Sequence, residues 1–224
     1  MKAAVWLSIL TIAAMAGVSI YGFINIPEGT MIARHWNLNG EPDGFSPRNH
    51  VLIGMPAIGV LLSIMFAAIP KIDPRKENIA RSMNVLIVGW LGALMLIAVT
   101  HASIVLAAAQ GQTAQFFGFG GTLYGVCLFF IVIGNFIAKS RSNFFIGVRT
   151  PWTLSSEHAW NVANRTAGWL LVLTGVASAA TGVFASPADG FRVLIAGAVT
   201  MAVVSVIVSY FAWKNDPDRK EARS

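Results

Sequence analysis

Four histidines and ten carboxylates are the groups of this 224-residue chain that could hold a metal or move a proton. His35, Glu41, Asp43 and His50 fall in one turn-rich stretch, and His101 follows inside an apolar run. Histidine beside carboxylate is metal-ligand chemistry, but the spacing fits no standard site. His35, His50 and His101 are therefore metal candidates set against a simpler reading, in which each is solvated or hydrogen-bonded. Neither a metal nor a cofactor is expected. An ionisable or amide side chain inside an apolar run is a functional candidate by default, which marks His101 and Asn135. The plainer alternative for His101 is a neutral ring bonded to a neighbouring helix. No nucleophile–base pair stands out, so the chain is not expected to be an enzyme. Its one cysteine, Cys127, lies in an apolar run and reads as a small buried hydrophobe.

A second constellation suits recognition rather than catalysis. Between two apolar runs lies a polar, aromatic-rich island, Asn143 to Arg165, containing Gly147, Arg149, Thr150, Pro151, Trp152, Thr153, Leu154, Ser156, Glu157, Trp160 and Asn164. Charges and irregular backbone of this kind cannot lie in hydrocarbon. Pro151 fixes its own φ and biases Thr150 away from helix, so Arg149-Thr150-Pro151-Trp152 starts a turn. Ser155 or Ser156 can cap a helix with Glu157 in its first turn. That helix should run through Trp160 and Asn164 into the next apolar run. Arg149 has a planar fork of donors, placed to bond several carbonyls or a carboxylate such as Glu157. Arg165 falls at the membrane boundary, within reach of phosphates or loop carbonyls. The island is either a recognition or gating surface, or an interfacial element with Trp152 and Trp160 as belt residues.

The earlier stretch, Arg34 to Phe45, is dense in turn formers. Asn39-Gly40 and Asp43-Gly44 both favour positive φ, which predicts a compact fold, a small hairpin, organised around His35, Asn37, Gly40, Asp43 and Gly44.

The elements that must position these groups are membrane helices. The chain is 55% hydrophobic and 12% charged, where globular proteins carry about 25% charged residues. Six apolar segments approach the ~20 residues a span needs: Ala3–Ile26, Val51–Ile69, Met83–Ala109, Phe117–Ala138, Thr166–Ala185 and Phe191–Trp213. The fold class is thus an all-α integral membrane protein, with a compact outer loop and a structured inner one. It divides into residues 1–69 with the outer loop, 70–138 with spans three and four, 139–213 with the island and spans five and six, and a polar tail, 214–224. The first segment is too long for an ordinary cleaved leader. The net charge of +6 is read as topology, without direct nucleic-acid binding. With both termini inside, the inner segments hold 13 of the 16 Lys and Arg; Arg34, Arg48 and Arg192 are outside. Gly168, Gly175 and Gly182 recur at seven, a smooth stripe for close helix packing.

The island resembles the signature of the SdpI family, membrane immunity proteins against the sporulation-delaying peptide toxin. The resemblance rests on Asn143, Gly147, Arg149, Thr150, Pro151, Trp152, Thr153, Leu154, Ser156, Glu157, Trp160, Asn164, Arg165 and Gly168. Upstream, Ile26-Pro27 and the run His35-Trp36-Asn37-Leu38-Asn39-Gly40-Glu41-Pro42-Asp43-Gly44 resemble a domain of uncharacterised function that often precedes that signature. The resemblance implies a multi-pass protein of the bacterial inner membrane, in contact with lipid. It implies protection against a secreted membrane-active peptide, and in the characterised case capture of a small DNA-binding repressor, ArsR-type, at the membrane. Ala163-Asn164-Arg165 departs from a Thr-His-Arg-like run expected there, so no role is carried over for a histidine at that place. The competing classes are a small transporter or channel, for which the spans offer few polar groups and no buried carboxylate, and a metal-dependent membrane enzyme.

Overall fold

The structure, a computed structural model, describes residues 1–112 and 119–218. The start of the fourth expected span at Phe117, and Arg219, Lys220 and Arg223 of the tail, lie outside the described residues. In order come α1 (Lys2–Asn25), β1 (Met31–Trp36), β2 (Pro42–Pro47), α2 (Arg48–Ile72), α3 (Lys76–Arg81), α4 (Met83–Ala109), α5 (Gly121–Ile137), α6 (Pro151–Ser155), α7 (Glu157–Phe184) and α8 (Pro187–Lys214). Helices α1, α2, α4, α7 and α8 are long and apolar enough to cross a membrane, and α5 is a shorter apolar helix. The protein is an all-α multi-span membrane protein. Large apolar side chains such as Ile24, Leu61, Leu173 and Phe184 point outward, the surface that hydrocarbon rather than water would cover.

The helices form two groups of three. α1, α2 and α4 pack on one another, α5 packs on α7 and α7 on α8, and α4 against α5 joins the groups. Lipid gives apolar helices no reason to associate, so close backbone approach must hold them together. The glycine stripe of α7 supplies it. A Cβ on Gly168 would lie 2.5 Å from the Gly134 carbonyl oxygen, and one on Gly175 would lie 2.7 Å from that of Cys127. On the other side, Gly197 of α8 sits against Thr174, where a Cβ would meet the side chain at 2.4 Å.

β1 and β2 form the expected hairpin, antiparallel, with irregularities at Arg34 and Asp43. Only one of the two predicted turns exists. Gly40 has φ +81° at the tip, whereas Gly44 lies within β2 without positive φ and pairs with His35. Glycine is needed there for closeness, not conformation: a Cβ would meet the His35 Cβ at 2.9 Å. The hairpin buries Ile32 among Ile26, Val51, Leu52, Ile104 and Val105. Its tip reaches the other helix group, since Arg192 Nη2 donates to Asn39 Oδ1 at 2.9 Å. The Arg48 guanidinium donates to the Ile26 carbonyl at the end of α1, fixing the hairpin's entry.

Candidate functional site

At the end of the bundle opposite the hairpin, residues 138–156 fold into a platform. Asn143 has no exposed surface and is fully used. Its Oδ1 accepts the N–H groups of Phe145 (2.9 Å) and Ile146 (2.7 Å), and its Nδ2 donates to the carbonyls of Arg141 (2.7 Å) and Ile146 (3.2 Å). One buried amide thus closes a turn whose backbone groups have no ladder to join. Gly147 follows at φ +114°. A side chain there would be strained and would clash, its Cβ falling 2.5 Å from Asn164 Oδ1 and 3.1 Å from the Trp160 ring.

Asn164 and Trp160 seat this loop on α7. Val148 N–H donates to Asn164 Oδ1 at 2.8 Å, and Asn164 Nδ2 donates to the Trp160 carbonyl at 2.9 Å. Trp160 is buried, with its Nε1 donating to the Ser140 carbonyl at 2.9 Å. It is therefore an internal strut and not a belt residue. Trp152 packs edge-on against Tyr210 of α8, ring centroids 5.2 Å apart.

Capping orders the rest. Thr150 caps α6 in a reciprocal box: Thr153 N–H donates to Thr150 Oγ1 (3.1 Å) and Thr150 N–H to Thr153 Oγ1 (2.9 Å), with Pro151 in the first turn. Thr153 Oγ1 also donates to the Val148 carbonyl (2.8 Å). Of the two serines that could cap the long helix, Ser156 does so, accepting Ala159 N–H at 2.9 Å, and α7 runs unbroken from Glu157 through Trp160 and Asn164. Glu157 is exposed in its first turn.

Side chains from elsewhere in the chain clamp the platform, and none was marked in the sequence. Asp73, buried at the end of α2, accepts Phe144 N–H at 3.0 Å and Arg75 N–H at 2.6 Å. The Arg75 guanidinium donates to Ser142 Oγ and to the Leu154 carbonyl (2.6 Å), and lies 5.1 Å over the Phe144 ring. Asn78 Nδ2 donates to the Ser142 carbonyl (2.8 Å), and Ser82 Oγ accepts Arg141 N–H (2.8 Å). From α8 and beyond, Ser209 Oγ lies 3.1 Å from Thr150 Oγ1, and Ser156 Oγ donates to the buried Asp216 carboxylate. The organising arginine is Arg75. Arg149 is exposed and donates once, to the Phe144 carbonyl at 2.7 Å, with no bond to Glu157.

The remaining marked residues are dispersed. His35 Nδ1 lies 2.5 Å from Asp43 Oδ1 on the exposed hairpin, where Asn37 Oδ1 accepts the N–H groups of Asn39 (2.9 Å) and Glu41 (3.1 Å). His50 is exposed on α2. His101 is buried inside the first helix group, Nε2 3.0 Å from Ser19 Oγ, which itself donates to the Leu52 carbonyl at 2.6 Å. The three candidate metal histidines do not meet, and no group of three or more His, Cys, Asp or Glu side chains is placed to hold a metal among the described residues. Asn135 Nδ2 donates to the Ile131 carbonyl of its own helix (2.7 Å). Arg165 is exposed at the α5–α7 crossing.

Fold and platform define the class: a polytopic helical membrane protein with an ordered polar platform at one end and a hairpin at the other. Residues 139–210 match the SdpI/YfhL protein family, and residues 9–60 match DUF1648, a domain of unknown function. The resemblance carried by the island and by the His-Asn-Gly-Asp run is thereby confirmed. The Immunity protein SdpI of Bacillus subtilis (strain 168) is 34% identical over 90 residues. That match spans 40% of this chain and 43% of the relative. No solved structure matches.

Proposed function

We propose that this is an immunity-type protein of the bacterial inner membrane that protects its cell from a secreted membrane-active peptide. The observation that carries the reading is the platform. The segment that matches the immunity family is held by buried, paired polar groups from both helix groups. Such a surface is costly to assemble unless every partner is present, which suits a surface kept rigid for recognition. Both termini and the platform lie in the cytoplasm in this reading, and the hairpin faces out, following the basic residues. A transporter is less well supported, because the buried carboxylates Asp73 and Asp216 sit at the platform rather than along the spans. In the finer form of the reading the platform's exposed face, with Phe144, Arg149 and Glu157, captures a small ArsR-type repressor.

The test is survival. A bacterium sensitive to the sporulation-delaying peptide, expressing this protein in its membrane, should outlive the same strain carrying an empty vector when challenged. Equal killing at confirmed membrane expression would reject the reading. Retention of the repressor in the membrane fraction after challenge tests the finer form.

A further inference from the structure

We propose that the notch beside the Gly134–Gly168 crossing binds the phosphate of an anionic membrane phospholipid through Arg165. The notch is a cavity of about 370 Å³ walled by Asn135 and Ala138 of the α5 end and by Arg165, Trp169 and Val172 of α7. It exists because the crossing glycines have no side chains to fill it. The Arg165 guanidinium has no hydrogen-bond, ion-pair or ring partner among the described residues, in contrast to Arg48, Arg75, Arg149 and Arg192. A planar fork with free donors is matched to a phosphate. Asn135 gives one amide N–H to the Ile131 carbonyl and has a second to offer from the opposite wall.

Position on the helix argues for a lipid source. Trp169, one turn from Arg165 towards the centre of α7, is 66% exposed. A guanidinium with an exposed indole one turn deeper is the pairing found where a helix leaves hydrocarbon for headgroups. The apolar outward face continues at Leu173 and Val176, a path for the acyl chain below the phosphate. Arg165 adjoins Asn164, which holds Val148. A phosphate at Arg165 would therefore pin the start of α7 to the membrane surface beside the platform.

The test is native mass spectrometry of the full-length protein in mild detergent, titrated with an equimolar mixture of phosphatidylglycerol and phosphatidylcholine. Wild type should retain phosphatidylglycerol preferentially. Arg165→Gln should lower that retention about tenfold, as expected for losing a charge-assisted contact. Lys76→Gln, which removes the same charge from an exposed site of α3, should leave it unchanged. Asn135→Leu should lower retention independently, which keeps the test intact if Arg165→Gln cannot be purified. Equal retention of both lipids by wild type, equal loss in Arg165→Gln and Lys76→Gln, or undiminished retention in Asn135→Leu would overturn the proposal. Displacement of the lipid by millimolar inorganic phosphate would also overturn it, by naming free phosphate as the ligand.

Discussion

Gly147 is the position where one atom matters most. Its φ of +114°, and the 2.5 Å that would separate an added Cβ from Asn164 Oδ1, leave no room for any other residue. Gly147→Ala is expected to destabilise the protein by about 2–3 kcal/mol, combining backbone strain with a lost platform bond. Denaturant unfolding in detergent measures it. Asn164→Ala leaves Val148 N–H without its partner, while the Trp160 carbonyl keeps its helical bond, and should cost about 1–3 kcal/mol by the same measurement. The two arginines should separate. Arg75 uses its fork on Ser142 and Leu154 and also covers Phe144, so Arg75→Lys should impair the protein nearly as much as Arg75→Ala. Arg149, with one carbonyl bond at the surface, should tolerate Lys. Comparing protease resistance of the island in the two Lys variants checks this. The sequence suggested Arg149 because it lies in the motif. Arg75 was legible only as a topology charge, since nothing local in Arg75-Lys76 points to a carbonyl 79 residues later.

Among the elements, most of the helical frame was legible, for physical reasons. Apolar runs of span length placed α4 at Met83–Ala109 directly and the ends of α1, α2 and α8 within a few residues, although Pro56 and Pro70 lie inside α2. The Ser156 cap made α7 readable beyond its apolar part. The seven-residue glycine stripe showed that α7 packs closely, though not that Gly134 and Cys127 are its partners. The hairpin was readable from Asn39-Gly40, while Gly44 misled, because glycine serves close strand approach as well as turns. Gly168→Leu must push α5 from α7 at the Gly134 carbonyl and should lower the thermal midpoint markedly, with Gly17→Leu, where a Cβ meets nothing, as the mild control. Hydrogen exchange should be slow at Ile32, buried and paired with Ser46, and fast at Leu38 in the tip.

Across the whole molecule, the two helix groups are joined at both ends. Arg192 on Asn39 ties the hairpin to α8, and Asp73, Arg75, Asn78 and Ser82 tie the first group to the platform of the second. None of these long-range ties leaves a periodic or compositional trace, which is why the platform read as a single loop. If the proposed function holds, this clamped platform, and not the family segment alone, is what protects the cell. Survival under peptide challenge decides the matter, in cells carrying wild type or Arg75→Ala at equal amounts of protein in the membrane. Wild type should protect, and Arg75→Ala, still inserted, should lose at least about tenfold of that protection, the scale of one charge-assisted bond. Full protection by Arg75→Ala would contradict the role given to the clamp.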